Sequence, residues 1–260
     1  MKTRLDALLV ARGLAATRER ARALILAGQV RVDTPPSKAA PLKAGTMVPD
    51  DAGVSLAVPD HPYVGRGGLK LAHALDVFAI DPRGRVALDV GASTGGFTDV
   101  LLQRGATRVV ALDVGHGQLA WSLRTDPRVV VIERVNARTL TVDQLGPESP
   151  RVFDLVTIDV AFISLRLVLP ALVPLLAPGG QLVALIKPQF EAGREDVGAG
   201  GIVRDAAVHE RVVAEVVTEA ARLGLAHRAT TPSPIAGAEG NREFLAAFVL
   251  LPSDARDRIS

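Results

Sequence analysis

The residues from Ala87 to Leu101 run from an apolar strand into Gly91, Ala92, Ser93, Thr94, Gly95 and Gly96, then into a helix expected to begin near Phe97. Glycines in such a turn let the backbone bend sharply and bring a ligand close to the strand end. The next expected strand, Arg108 to Asp113, closes on an acid. A carboxylate there can accept both hydroxyls of an adenosine ribose. This pattern fits a dinucleotide or S-adenosylmethionine. Position three of the dinucleotide fingerprint G-x-G-x-x-G holds Ser93, and the glycine missing there is the one that makes room for a pyrophosphate, so the balance moves toward S-adenosylmethionine. The bland alternative is a tight strand-to-helix turn with no ligand; the spacing of Asp113 speaks against it.

Other chemistries find little support. Cysteine is absent, which removes thiolate catalysis and a disulfide framework and suits a reducing compartment. The histidines, His61, His73, His116, His209 and His227, are dispersed; none falls with acids in a zinc-ligand pattern, and no metal is expected. Ser164 and His209 lack the context of a nucleophile elbow.

Around the glycine turn the chain alternates short Val/Ile/Leu runs with helical segments: Val86 to Val90, Phe97 to Arg104, Arg108 to Asp113, Val129 to Ile132, Phe153 to Ile158 and Gln181 to Ile186. Strands buried on both faces in this order predict an α/β fold, a Rossmann-like, doubly wound and mostly parallel sheet with helices on each side. The uncharged stretch Leu167 to Ile186 is about long enough to span a bilayer. Pro170, Pro174, Pro178, Gly179 and Gly180 divide it instead into a buried helix, a turn at 178–180 and a buried strand.

A smaller α+β module precedes this domain. Leu5, Leu8 and Leu9 have helical spacing; a second helix is expected after Thr17 as N-cap, with Ala21, Leu24 and Ile25 on its apolar stripe and Arg18 and Arg22 on another face. Gln29 to Val32 then alternates like a strand, and shorter strand-like pieces follow at 46–48 and 54–58. Residues 1–45 hold nine Lys/Arg against three acids, a net +6 in a chain whose total is only +2. A basic module on a mildly acidic domain suggests a polyanion-binding attachment, with a solvated helix face as the plain alternative. Aromatics are only 3% of the residues, so base stacking has few platforms and phosphate contacts must dominate. The expected boundaries are an RNA-binding domain over 1–60, a linker over 61–65, the catalytic domain over 66–252 and a polar tail over 253–260. No signal peptide is expected from the start of the chain.

The N-terminal order resembles the αL RNA-binding domain of a small-subunit ribosomal protein, the S-four type, with Thr17 where Ser is usual and Asp33-Thr34-Pro35-Pro36 in place of an Asn-Gly turn. Across nearly the whole chain, Arg66 to Leu71, Asp89 to Phe97, Asp113 to Gly115, Ile158 to Ser164, Ile186 to Glu191 and Gly240 to Glu243 together resemble the TlyA family. These are ribosomal RNA 2'-O-methyltransferases, also described as haemolysins, with an FtsJ-like catalytic domain. Gly65 stands where Ser is common.

This resemblance implies a catalytic tetrad of Lys70, Asp159, Lys187 and Glu243, and cofactor contacts from Gly91 to Phe97, Asp113, Asn136 and Asp159. It implies S-adenosylmethionine as cofactor and ribosomal RNA or ribosomal subunits as partner; with the basic balance of the first module, Arg4, Arg18, Arg20, Arg22 and Arg66 are expected as RNA contacts, and a cytoplasmic location is expected. A ribose hydroxyl is a weak acid and needs a positioned base during methyl transfer. Lys187 and Asp159 both stand as candidates, the remaining members orienting them. A nicotinamide oxidoreductase would have no use for the basic module or for two lysines and two acids at strand ends; a membrane-active protein would need an unbroken apolar segment, and no membrane is required here.

Overall fold

Parallel pairing of Val86–Val90 (β5) with Arg108–Asp113 (β6) on one side and Phe153–Ile158 (β8) on the other sets the frame of the larger part of the chain. The computed structural model describes residues 2–15, 17–26, 28–33, 42–56, 61–237 and 239–252. Thr34 to Pro36 of the expected turn, the end of the piece at 54–58 and the tail 253–260 lie outside the described residues. Two units emerge, Met1–Pro62 and Tyr63–Ser260.

In the first unit, Lys2–Arg4 (β1) leads into Leu5–Ala11 (α1), followed by Arg18–Leu26 (α2), Val30–Val32 (β2), Met47–Pro49 (β3) and Val54–Leu56 (β4). β1 pairs with β3 and β2 with β4, both antiparallel. The helices pack through the apolar positions their spacing indicates: Leu5, Leu8 and Leu9 from α1 and Ala21, Leu24 and Ile25 from α2 are buried together. Thr17 caps α2, its Oγ1 accepting the Arg20 N–H at 3.1 Å, which satisfies one of the orphan donors of the first turn.

In the second unit, the sheet order among the described residues is β10-β11-β9-β8-β5-β6-β7, where β7 is Val129–Glu133, β9 Leu176–Ile186, β10 Leu225–Pro232 and β11 Phe244–Leu250. Strands 5 to 9 run parallel, whereas β11 lies antiparallel to both β9 and β10. Helices Gly67–Val77 (α3), Gly96–Gln103 (α4), Trp121–Arg124 (α5), Leu165–Leu172 (α6), Pro188–Glu191 (α7) and Ala206–Arg222 (α8) complete the unit. Two apolar clusters cover opposite faces of the sheet, one with Leu88, Val156 and Phe248 and the other with Ala87, Leu155 and Leu245. Neighbouring strand residues divide between them because side chains alternate across the pleat. Chain order reverses between β5, which is followed outward by β6 and β7, and β8, followed by β9. In such sheets ligands bind outside the carboxyl ends of the strands at this switch point.

Pro178, Gly179 and Gly180 do not form a turn between helix and strand as expected. They lie within β9, where the pairing jumps from Phe153 opposite Leu176 to Leu155 opposite Gln181. The extra residues bulge out, with Gly179 at φ +75°, because a strand can accommodate them without ending. Among the described residues no helix is long and apolar enough to cross a membrane.

Candidate active site

At the end of β5 the chain turns through Gly91 at φ +83°. A Cβ there would lie 2.3 Å from the Asp159 carbonyl oxygen at the end of β8, so only glycine lets the two strand ends approach this closely. A second close approach follows at Gly96, where a Cβ would fall 2.9 Å from the Gly68 nitrogen. This draws α3, the helix carrying Lys70, against the glycine loop.

Two cavities open at this switch point. The larger, about 510 Å³, is lined by Gly91, Ser93, Asp113, Gln118, Asn136, Asp159 and Phe162 among others, a size ordinary for small-molecule sites. Asp113 already holds the loop: one carboxylate oxygen accepts the Ser93 N–H at 2.7 Å and the other the Gly115 N–H at 2.6 Å. Each oxygen retains a lone-pair site for a ligand hydroxyl. Ser93 adopts a left-handed φ of 48°, and its hydroxyl donates to Gln118 at 3.2 Å. Asn136 accepts the Arg138 N–H at 2.9 Å, capping a single helical turn at the cavity wall.

The smaller cavity, about 340 Å³, is lined by Arg66, Lys70, Ala92, Thr94, Gly96, Phe97, Lys187 and Glu243 among others, and shares Gly91, Ser93, Asp159 and Ala161 with the first. Lys70, Asp159, Lys187 and Glu243 therefore converge, although they come from α3, from the ends of β8 and β9, and from the approach to β11. Glu243 and Lys187 lie one step beyond the last paired rung, Phe244 opposite Ile186. The four form two ion pairs. Lys70 Nζ is 2.5 Å from Glu243 Oε2, with side chains only 8% and 3% exposed; Lys187 Nζ is 2.6 Å from Asp159 Oδ1, with side chains 13% and 21% exposed. In the more open pair, Asp159 lines both cavities and Lys187 the smaller one. Gly95 lines neither cavity and serves as the left-handed N-cap of α4.

The arginines named from the sequence separate. Arg66 lines the smaller cavity. Arg4, Arg18 and Arg22 all reach the carboxylate of Asp6, and Arg20 donates to the His61 carbonyl at 3.2 Å.

Supporting residues that carried no role in the sequence reading also appear. Asp89, fully buried in β5, accepts the Thr98 hydroxyl at 2.6 Å and the Thr157 hydroxyl at 3.0 Å; burial pushes its carboxyl up to about 7. A charged residue inside an apolar strand was the available signal. Glu191 accepts the Leu165 N–H at 2.7 Å and the Ser164 hydroxyl at 2.5 Å. It thereby ties the segment after Lys187 to the start of α6, and burial raises its carboxyl. Asn241, buried, accepts the Val203 N–H at 3.0 Å and donates to the Gly201 carbonyl at 2.8 Å, anchoring the turn that delivers Glu243.

Comparison with known proteins places the chain in a family. An FtsJ-like methyltransferase profile matches residues 63–250 and an S4 domain profile residues 3–36. The 16S/23S rRNA (cytidine-2'-O)-methyltransferase TlyA of Mycobacterium tuberculosis is 49% identical over 94% of this chain and 88% of its own. The chain belongs to the TlyA family of FtsJ-like methyltransferases. Hemolysin A of Brachyspira hyodysenteriae is a further relative, 41% identical over 95% of this chain and all of its own length. A solved structure from Streptococcus thermophilus, also named as a hemolysin, superposes with a TM-score of 0.74 at 42% identity, covering 99% of this chain and 94% of that one.

Proposed function

We propose that this protein transfers a methyl group from S-adenosylmethionine to a ribose 2'-hydroxyl, of a cytidine, in ribosomal RNA. The observation that carries the reading is the Lys187–Asp159 pair, in which Asp159 lines both a nucleoside-sized cavity and a second, charged cavity and Lys187 lines the second. The larger cavity suits the cofactor, with Asp113 to accept ribose hydroxyls, Asn136 and Gln118 on its polar wall, and the Gly91–Gly96 loop beside the amino-acid end. When bound, S-adenosylmethionine supplies an electrophilic methyl on a sulfonium. The chain supplies the base from the Lys187–Asp159 pair: the Lys187 ammonium passes a proton to Asp159 and, as the neutral amine, takes the 2'-hydroxyl proton as that oxygen turns nucleophilic. Lys70 and Glu243, more deeply buried, fix the floor of the cavity, and Arg66 at its rim offers a guanidinium to the RNA backbone.

A dinucleotide fits poorly. Its pyrophosphate would use the N-terminus of the first helix, but at α4 the buried carboxylate of Asp89 already bonds the hydroxyl and backbone N–H of Thr98. The first unit would carry the ribosomal substrate, which places the work in the cytoplasm. The test is to map 2'-O-methylation on ribosomal RNA from cells with and without the protein. One or more cytidine methylations lost on deletion and restored by the wild-type gene but not by a Lys187→Met gene is the expected result; an unchanged map overturns the reading.

A further inference from the structure

Three arginines of the first unit converge on one buried carboxylate. Asp6, at the second position of α1, has a side chain that is 0% exposed. Arg4, just ahead of the helix, donates to it from Nε at 3.0 Å and Nη2 at 2.9 Å. From α2, Arg18 Nη2 lies 3.3 Å away and Arg22 Nε also 3.3 Å away, one helical turn apart on the same face. The three side chains nevertheless remain 45%, 53% and 54% exposed.

Neutralising Asp6 does not require all three arginines. Arg4 alone gives Asp6 a two-pronged partner and neutralises it. Two further guanidiniums repel each other and Arg4, and restraining long side chains costs rotamer entropy. The result is a cluster with net charge +2 gathered about one point. Hydrogen bonding from Arg4, foremost, holds the Asp6 carboxyl far below the usual carboxylate range against the opposing effect of burial, so the arrangement stays ionised at any physiological pH. A guanidinium has five N–H donors; Arg18 spends only Nη2 on Asp6, and Arg22 only Nε. Partly exposed guanidiniums with donors to spare, held at fixed positions, match the fork geometry by which arginine binds phosphate oxygens.

We propose that Asp6 is a positioning residue that holds Arg4, Arg18 and Arg22 as one preformed receptor for the phosphates of folded RNA. This rests on the reading that the first unit carries a ribosomal substrate. Ordering an arginine before contact removes part of the entropy cost of binding. It helps only where phosphates are themselves fixed in space, as in a folded RNA; a flexible polyanion adapts to mobile arginines as readily as to ordered ones.

The inference has an unusual sign. Asp6→Asn removes a negative charge from a surface that binds a polyanion, and charge alone would tighten binding. Loss of the receptor instead weakens binding to folded RNA. The experiment measures affinity of the full-length wild type, Asp6→Asn and the charge-conserving double variant Arg18→Lys, Arg22→Lys for purified ribosomal subunits and for heparin, with far-ultraviolet circular dichroism to follow the fold. Both variants are expected to lose about tenfold affinity for subunits with heparin affinity kept or raised. The double variant retains Asp6 and its Arg4 bond, so it decides the matter if Asp6→Asn fails to fold. Subunit binding by the double variant as tight as by wild type, or an unchanged ratio of subunit to heparin affinity, overturns the inference while leaving the ribosomal reading intact. Wild-type protein that binds neither subunit overturns that reading itself.

Discussion

Lys187 Nζ stands 2.6 Å from Asp159 Oδ1, a carboxylate on the wall that the two cavities share. The amine of Lys187 lines only the smaller cavity, whereas Asp159 lines both. Substitutions at the two positions should therefore differ. Lys187→Met is expected to slow single-turnover methyl transfer by about 10²–10⁴-fold with cofactor affinity in calorimetry near the wild-type value. Asp159→Asn should lower both. A Lys187→Met protein that methylates at near-native rate would remove the residue from proton transfer.

Each oxygen of Asp113 receives a loop N–H, and the residue lines the larger cavity, proposed above for the cofactor. Asp113→Ala removes the ribose acceptor and both loop anchors, and should weaken S-adenosylmethionine binding by about 10- to 100-fold, the worth of a hydrogen bond to a charged group. Asp113→Asn, which keeps one acceptor oxygen, should fall between. Titration calorimetry on the three proteins checks the order; equal affinities would detach Asp113 from the cofactor.

The Lys70–Glu243 pair is almost wholly buried, and breaking such a pair from one side leaves a charge without a partner. Lys70→Met alone is expected to cost about 3–5 kcal/mol of stability. The double variant Lys70→Met, Glu243→Leu should recover most of that loss in denaturant titrations, because burying apolar groups in place of an ion pair is often neutral. Activity should not return with it. A double variant as unstable as the single one would show that the pair is not the unit of stability.

Burial raises the Asp89 carboxyl from 3.8 to about 7. The folded protein thus holds this proton more tightly than the unfolded chain. The contribution to stability is full below 3.8 and is lost as pH rises through about 7, a window worth on the order of 4 kcal/mol. Asp89→Asn keeps an acceptor for a threonine hydroxyl and does not titrate. Relative to wild type, its stability in urea should improve steadily between pH 4.5 and pH 7.5; a pH-independent difference between the two proteins would contradict the assignment.

Much of this architecture is legible in the residues alone. Val86 to Val90, Arg108 to Asp113 and Phe153 to Ile158 form strands with the boundaries their apolar runs indicate, since a strand buried on both faces leaves little choice of residue type. Thr17 caps α2 because a short side-chain oxygen ahead of a helix has an N–H within reach. The bulge at 178–180 was not legible: Pro and Gly signal a break in local geometry, but whether the chain turns away or rejoins the same strand is decided by β8 alongside it.

Local sequence likewise determined that Asp113, Asp159 and Lys187 stand at strand ends and that the first unit is basic, because periodicity, turn chemistry and charge are properties of neighbours along the chain; Lys70, expected at a strand end, lies instead on α3. Only the tertiary structure decided which charge meets which. Lys70 and Glu243 are 173 residues apart in sequence, and Lys187 could as well have been assigned to Glu243, on the adjoining strand, as to Asp159. Arg18 and Arg22, read from the sequence as RNA contacts on one helix face, turn out to share a carboxylate with Arg4. Pairing of this kind depends on distances of a few ångströms between elements remote in sequence, and those distances are set by sheet order and helix packing.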